Sequence, residues 1–288
     1  MKRNFTLCVA LCTMITGFAQ TDTTAKQNPA PQDDTIRIGG MVIIRKAGSK
    51  DKQVMKDGEY KMRNRRSSKP SNLTTNWWIF DLGFSSFKDN TNYSSAAAQA
   101  YAPGSNKNYF ELKDGKSRNV NVWFFMQKLN VIKHVVNLKY GLGIELNNYR
   151  YEQNIRYQKN TIAIPDPPRV ILDATAGRSY KKNKLAADYL TVPMMINFNF
   201  TPNRKNGFGI SGGISAGYLY SARNKTETSD EGKKKTKDNF ELEKWKLSYI
   251  AELALGPVRF YGSYAFKGMY ERGLDMTPYN FGFRFSNW

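Results

Sequence analysis

Between Val135 and Tyr149 the chain reads VVNLKYGLGIELNNY, with Val136, Leu138, Tyr140, Leu142, Ile144 and Leu146 on one phase and Asn137, Lys139, Gly141, Gly143, Glu145 and Asn147 on the other. A period of two over this length predicts a β-strand with one apolar and one polar face. The same pattern recurs and predicts eight strands: Asn76 to Phe87, Arg118 to Lys128, Val135 to Tyr149, Leu185 to Thr201, Phe208 to Ser221, Trp245 to Leu255, Val258 to Tyr270, and a closing strand with Tyr279, Phe281, Phe283 and Phe285. Two are irregular. In the second, the phase Val120, Val122, Phe124, Met126 is blurred by Trp123 and Phe125. In the fourth, Pro193 withholds a ladder hydrogen bond, so a bulge or a shifted boundary is expected there.

The connections alternate in length. Leu129 to His134, Pro202 to Gly207 and Gly256-Pro257 are short, whereas Lys88 to Ser117, Arg150 to Lys184 and Ala222 to Asn239 are long. That is the rhythm of an up-and-down barrel with turns at one end and loops at the other. Alternation alone does not say which face is wet, because a soluble eight-stranded barrel of the lipocalin kind alternates too. That alternative would bind a small apolar ligand, with Leu138, Tyr140 and Ile144 pointing inward. The polar phase argues against it. Gly209, Ser211, Gly213, Ser215 and Gly217 would weaken a solvated strand, but inside a narrow barrel they leave room for long side chains.

Asp81, Lys139, Glu145, Glu252, Arg259, Lys267 and Arg284 all fall on that polar phase and carry both signs. Facing lipid at mid-membrane, a Lys or Arg would cost about 2 to 4 kcal/mol. They are therefore expected as structural interior charges forming a salt-bridged plug, since an eight-stranded barrel has just enough width for side chains to fill. Aromatic girdles at the membrane boundaries are expected from Trp77 and Trp78 at one end and Tyr218, Tyr220, Trp245 and Tyr270 at the other.

Composition adds the compartment. Lys2 and Arg3 precede an apolar run from Phe5 to Phe18 and small residues up to Ala19, the anatomy of a secretory signal peptide over residues 1–20. Cys8 and Cys12 lie inside it, and Leu11 before Cys12 does not fit a lipoprotein site. Residues 21–75 read as a basic, largely flexible periplasmic segment with a short strand or hairpin at 35–44, and residues 76–288 as the barrel. The formal charge of +20 invites a nucleic-acid reading. The export signal and the dispersal of Lys and Arg over loops argue against it; phosphates of outer-membrane lipid, lipopolysaccharide included, are a more accessible anionic partner for the basic loops, and simply solvated loops are the alternative.

The segment Asn76-Trp77-Trp78-Ile79-Phe80-Asp81-Leu82-Gly83-Phe84 and the closing Tyr279-Asn280-Phe281-Gly282-Phe283-Arg284-Phe285 before a terminal aromatic resemble small outer-membrane β-barrels of the PorT-like, OmpA/OmpX-like type. The resemblance implies an all-β, eight-stranded antiparallel transmembrane barrel with a polar N-terminal tail. It also implies both mature termini in the periplasm, barrel-assembly machinery as a partner, and a structural, surface-interaction or secretion-associated role. It supplies no catalytic or ligand-binding residue. A protein partner is expected to use the N-terminal segment or the 150–184 loop.

Catalysis is not expected. The single histidine, His134, falls in a short turn, and there is no HExxH, P-loop, dinucleotide fingerprint or GxSxG motif. No cofactor or metal is implied. A barrel enzyme using rim carboxylates such as Glu152 or Asp173 is the least favoured reading.

Overall fold

A computed structural model describes residues 71–286, apart from 114, 160–167, 203 and 205, together with the strands at 34–38 and 41–45. The expected signal peptide lies outside the described residues. In the N-terminal unit, β1 (Asp34–Ile38) and β2 (Met41–Arg45) pair antiparallel as a hairpin.

The second unit holds eight long strands: β3 (Leu73–Asp89), β4 (Arg118–Ile132), β5 (Val136–Arg150), then, after a two-stranded ribbon of β6 (Ile155–Tyr157) and β7 (Val170–Leu172), β8 (Tyr180–Asn199) and β9 (Phe208–Thr228). A short β10 (Gly232–Lys237) returns along the end of β9, and β11 (Trp245–Leu255), β12 (Val258–Ala265) and β13 (Met276–Phe285) complete the set. Each long strand pairs antiparallel with its neighbours, and β13 pairs with β3 from Met276↔Asp89 to Phe285↔Phe80. The sheet closes on itself as an eight-stranded barrel in which each long strand is paired on both sides.

The phases sort by face. Leu190, Val192, Met194, Ile196 and Phe198 on β8 and Ile210 and Ile214 on β9 are exposed on the outside, while the residues between them, such as Thr191, Met195, Asn197 and Ser211, are buried. The outward belt continues through Leu247, Tyr249 and Leu253 to Phe260, Phe281 and Phe283. Soluble monomers rarely expose a continuous apolar surface on this scale. Leu138, Tyr140 and Ile144 share the outward face, not the inward one that the lipocalin reading requires.

The blurred phase of β4 has a local cause. Register shifts between Trp123 and Phe125, leaving Phe124 as an extra residue, and on β3 Trp78 opposite it takes a left-handed backbone with φ of 56°. That conformation costs about 1 kcal/mol. It keeps Trp77 and Trp78 both outward while Ile79 turns in, and the rings of Trp78 and Phe124 meet edge to face at 5.9 Å. Met126, expected on the apolar outer phase, consequently points inward with Trp123. Pro193 produces no bulge: register to β5 is the same on either side, from Tyr140↔Met194 to Gly143↔Thr191, with the intervening pairs absent. The proline withholds its ladder bond and the strand runs on. The bulges of β8 against β9 fall instead at Tyr180/Lys182 and Asp188/Tyr189.

Short connections lie at the end where β3 begins and β13 finishes. One is a tight turn in which Lys133 and His134 both have positive φ, the geometry that suits the twist of a hairpin. Long connections gather at the other end. Their described residues include regular structure: α1 (Ala96–Tyr101) is capped by the Ser95 hydroxyl, which accepts from the Ala98 amide, and a 3₁₀ turn follows at Lys107–Phe110. Much of the long connection expected from Ala222 to Asn239 is the β9–β10 hairpin.

Candidate functional site

The inward phase of the strands builds a continuous polar column through the lumen. At its centre the Arg284 guanidinium on β13 grips Asp81 on β3 with two bonds, Nε to Oδ1 at 2.7 Å and Nη2 to Oδ2 at 2.8 Å, and reaches Glu252 on β11 through Nη1 at 2.6 Å. Asp81 also accepts from the indole of Trp123 at 2.7 Å and from Asn121 at 3.1 Å. Glu252 takes a bond of 2.6 Å from Lys139 on β5, whose ammonium also donates to Ser211, and lies 3.8 Å from Arg259 on β12.

Nearer the long-loop end, Glu145 is held by Lys246 and accepts from Asn280 at 2.9 Å and Asn147 at 3.1 Å. Asn119, Tyr261 and Ser85 extend the network, and Asn137 and Asn197 join it below. Side chains from all eight barrel strands therefore lock to one another across the lumen. At this depth charges carry a desolvation cost that only pairing offsets, and removing one partner of such a pair typically costs about 3 to 5 kcal/mol.

Asp81, Lys139, Glu145, Glu252, Arg259 and Arg284 all lie in this column. Lys267 does not. Its ladder ends at Ala265, and the lysine sits exposed beyond β12, paired with Glu243 at 2.7 Å. The interior reading of Lys267 is corrected for that reason. Lys246 is the charge that sequence reasoning missed, although it alternates with Trp245 and Leu247 as an inward residue should. Gly141 and Gly143 make room for uncharged side chains: Met126 crowds Gly141 and the Trp123 ring covers Gly143, where a Cβ would come within 2.7 Å of the ring.

The column leaves little room. The cavity at mid-barrel, lined by Asn121, Trp123, Glu145, Met195, Tyr261 and Arg284 among others, measures about 20 Å³, room for about one water. The lumen widens to about 170 Å³ at the short-turn mouth, beside Lys128, Lys139, Asn197, Arg204 and Arg259.

Above the column the long connections make a second, apolar core. Tyr101 of α1, Phe110, Tyr151, Ile155, Tyr157, Val170, Phe240 and Tyr270 are buried together over the barrel end. Tyrosine hydroxyls are satisfied within it: Tyr157 shares bonds of 2.7 Å with both Tyr151 and Tyr270, and Tyr101 donates to the Phe240 carbonyl at 2.7 Å. Tyr270 thus belongs to the cap, not to the outer girdle, where Tyr218, Tyr220 and Trp245 stay exposed. Burial pushes the phenols of Tyr101, Tyr157 and Tyr270 well above their ordinary range, which keeps them neutral donors.

Charged clasps fasten the cap. Glu241, held in a left-handed backbone beside Phe240, bonds Arg169 at 2.6 Å and Arg272 at 2.6 and 2.9 Å. Asp173 accepts from Arg178, Thr175 and Tyr180, and Arg178 and Arg156 reach Asp230 and Glu231 of the β9–β10 turn. Asp173, a rim carboxylate considered for catalysis, is committed to this clasp. Among the described residues no three His, Cys, Asp or Glu side chains are grouped to hold a metal ion.

An apolar exterior, an ionic lumen and turns and loops segregated to opposite ends are the geometry of a barrel that lives in lipid. A family model for the outer membrane protein β-barrel domain matches residues 77–276. The chain belongs to that family. Membership assigns the barrel to the outer membrane, and its belt of exposed Leu, Ile, Val and Phe is the lipid-facing surface. A search of curated proteins finds no match for this outer-membrane barrel.

Proposed function

We propose that this barrel is a non-conducting, non-catalytic anchor that presents its folded long-loop cap at the cell surface for interaction with a partner, in a structural or secretion-associated role. One observation carries the reading: the lumen is filled by a side-chain lattice from every strand, with the tyrosine-rich cap packed above it. A pore has no use for such a lattice, and a catalytic rim would leave acids and bases accessible, whereas Asp173, Glu231 and Glu241 are bound into clasps. The short turns face the periplasm together with both termini of the barrel segment, because bacterial barrels keep short turns on that side.

The N-terminal segment with its β1–β2 hairpin then lies in the periplasm, where it meets a protein partner. The PorT-like resemblance of 76–84 and 279–285 favours secretion as the process served. Conductance of the purified full chain in planar bilayers tests the filled lumen: no resolved current steps are expected. Stable ohmic steps from the native protein would overturn the anchor reading. Protease treatment of intact cells tests the orientation, with cleavage expected only in the long-loop end and not in residues 21–75.

A further inference from the structure

Above the aromatic girdle the outer face of the sheet changes character. Arg150 on β5 pairs in register with Lys184 on β8, Lys184 with Lys225 on β9, and Lys225 with Lys235 on β10. Residues directly opposite one another share a face, so four cations stand in one row across four adjacent strands. With strands about 4.8 Å apart the row is about 14 Å long. The neighbouring pair toward the membrane, Arg223↔Lys237, repeats the sign.

Like charges placed opposite one another destabilise a sheet. The acids within reach do not cancel them: Asp188 is engaged by Arg223 at 2.5 Å, and Glu227 lies between Lys182 and Lys233 in the row beyond. Lys184 is steadied by the Asn148 side chain at 2.6 Å, a neutral acceptor. Arg150 and Arg223 each keep a buried Nε–H with no acceptor among the described residues.

Position identifies the oxygen. Tyr218 and Tyr220 on the same strand are exposed girdle residues, and Arg223 follows Tyr220 by three residues, about 10 Å along the strand. Girdle aromatics sit at headgroup level, and Lys and Arg stems are long enough to reach back to it. We propose that the outward face of β5, β8, β9 and β10, centred on the Arg150–Lys184–Lys225–Lys235 row, binds the headgroup phosphates of a multiply phosphorylated outer-leaflet lipid. This rests on the orientation given above, with the long-loop end outside. It places the expected lipid contact on a regular strand surface rather than on the basic loops.

The test compares the full chain with the variant Lys184→Gln/Lys225→Gln/Lys235→Gln in phosphatidylcholine vesicles containing bisphosphorylated lipid A, in the same vesicles with the lipid dephosphorylated, and in neutral detergent with inorganic phosphate. Thermal unfolding, read as loss of heat-modifiable gel mobility, should shift upward for the native chain with the bisphosphorylated lipid alone. The variant should lose that shift, and native mass spectrometry should show its lipid affinity reduced at least about tenfold. In neutral detergent the variant should be as stable as the native chain or more so, since repulsion is relieved.

Equal shifts with phosphorylated and dephosphorylated lipid, or an equal shift with free phosphate, would overturn the proposal. So would a variant that retains the shift, or an acidic polypeptide displacing the lipid from this row. Surface labelling of Lys235 in intact cells separates the two readings: a protected site facing the periplasm sinks the orientation, whereas an accessible site without a lipid effect sinks only the lipid proposal.

Discussion

Arg284 shows why single residues matter here. Its two parallel bonds to Asp81 and third bond to Glu252 tie β13, β3 and β11 together across the lumen, and a planar guanidinium is the side chain that can make all three at once. Replacing it with methionine leaves two carboxylates short of a partner in a nearly dry interior. Arg284→Met is expected to lower stability by about 3 to 5 kcal/mol, measured as the urea midpoint in phospholipid vesicles, and Arg284→Lys to recover only part of the loss. A change below about 1 kcal/mol would mean that water, not pairing, satisfies these acids. Period-two alternation was enough to find Asp81, Glu252 and Arg284 because an inward residue is separated from its outward neighbour by one step. The same rule misplaced Lys267 because alternation in composition ran on to Tyr270 after the hydrogen-bonded ladder had stopped.

At the scale of elements, the strands were legible and the cap was not. β11 runs from Trp245 to Leu255 as its pattern indicates, and β5 departs from its expected bounds by one residue at each end. Tyr101, Tyr151, Tyr157 and Phe240, by contrast, come from separate connections with no shared period, and their core exists only once α1, the β6–β7 ribbon and the β9–β10 hairpin meet. The Trp78–Phe124 irregularity was visible as a blurred phase, but its cause needed the partner strand. The clasp on the cap carries a pH signature.

Burial would raise Asp173, but bonds from Thr175, Tyr180 and Arg178 outweigh it and hold it well below its ordinary range; Arg178 draws Asp230 from 3.8 down to about 2, and Arg156 and Lys234 lower Glu231. Depressed carboxylates contribute stability that is complete above their unfolded values and lost as pH falls through the folded ones. The clasp should therefore hold at pH 5, weaken below about pH 4 and lose its Asp230 arm near pH 2, with Asp173 the last to let go. Limited pepsin digestion across that range should cut residues 150–184 progressively earlier than the barrel, and a cap equally resistant at both ends of the range would refute the clasp.

For the whole molecule the decisive contact is the seam where the last strand meets the first. β13 and β3 share a ladder from Met276↔Asp89 to Phe285↔Phe80, and the outward rings of Phe84 and Phe281, directly opposite in that register, lie 5.7 Å apart. Closure joins residues nearly two hundred positions apart, so it forms only when every intervening strand has found its place. It also removes the two unpaired edges that hydrocarbon does not tolerate. Both native cysteines, Cys8 and Cys12, fall in the segment expected to be removed on export, which leaves the barrel free for an engineered cross-link. In Phe84→Cys/Phe281→Cys the two thiols should oxidise to an intrachain bridge in intact outer membranes, seen as a reducible change in gel mobility after boiling. Phe84→Cys/Phe283→Cys, one pleat repeat out of register, should bridge far less efficiently, because Phe283 faces Leu82 and its Cα lies too far along the strand for disulfide geometry. Equal yields from the two pairs would mean a mobile seam, and no bridge from either would mean an open sheet.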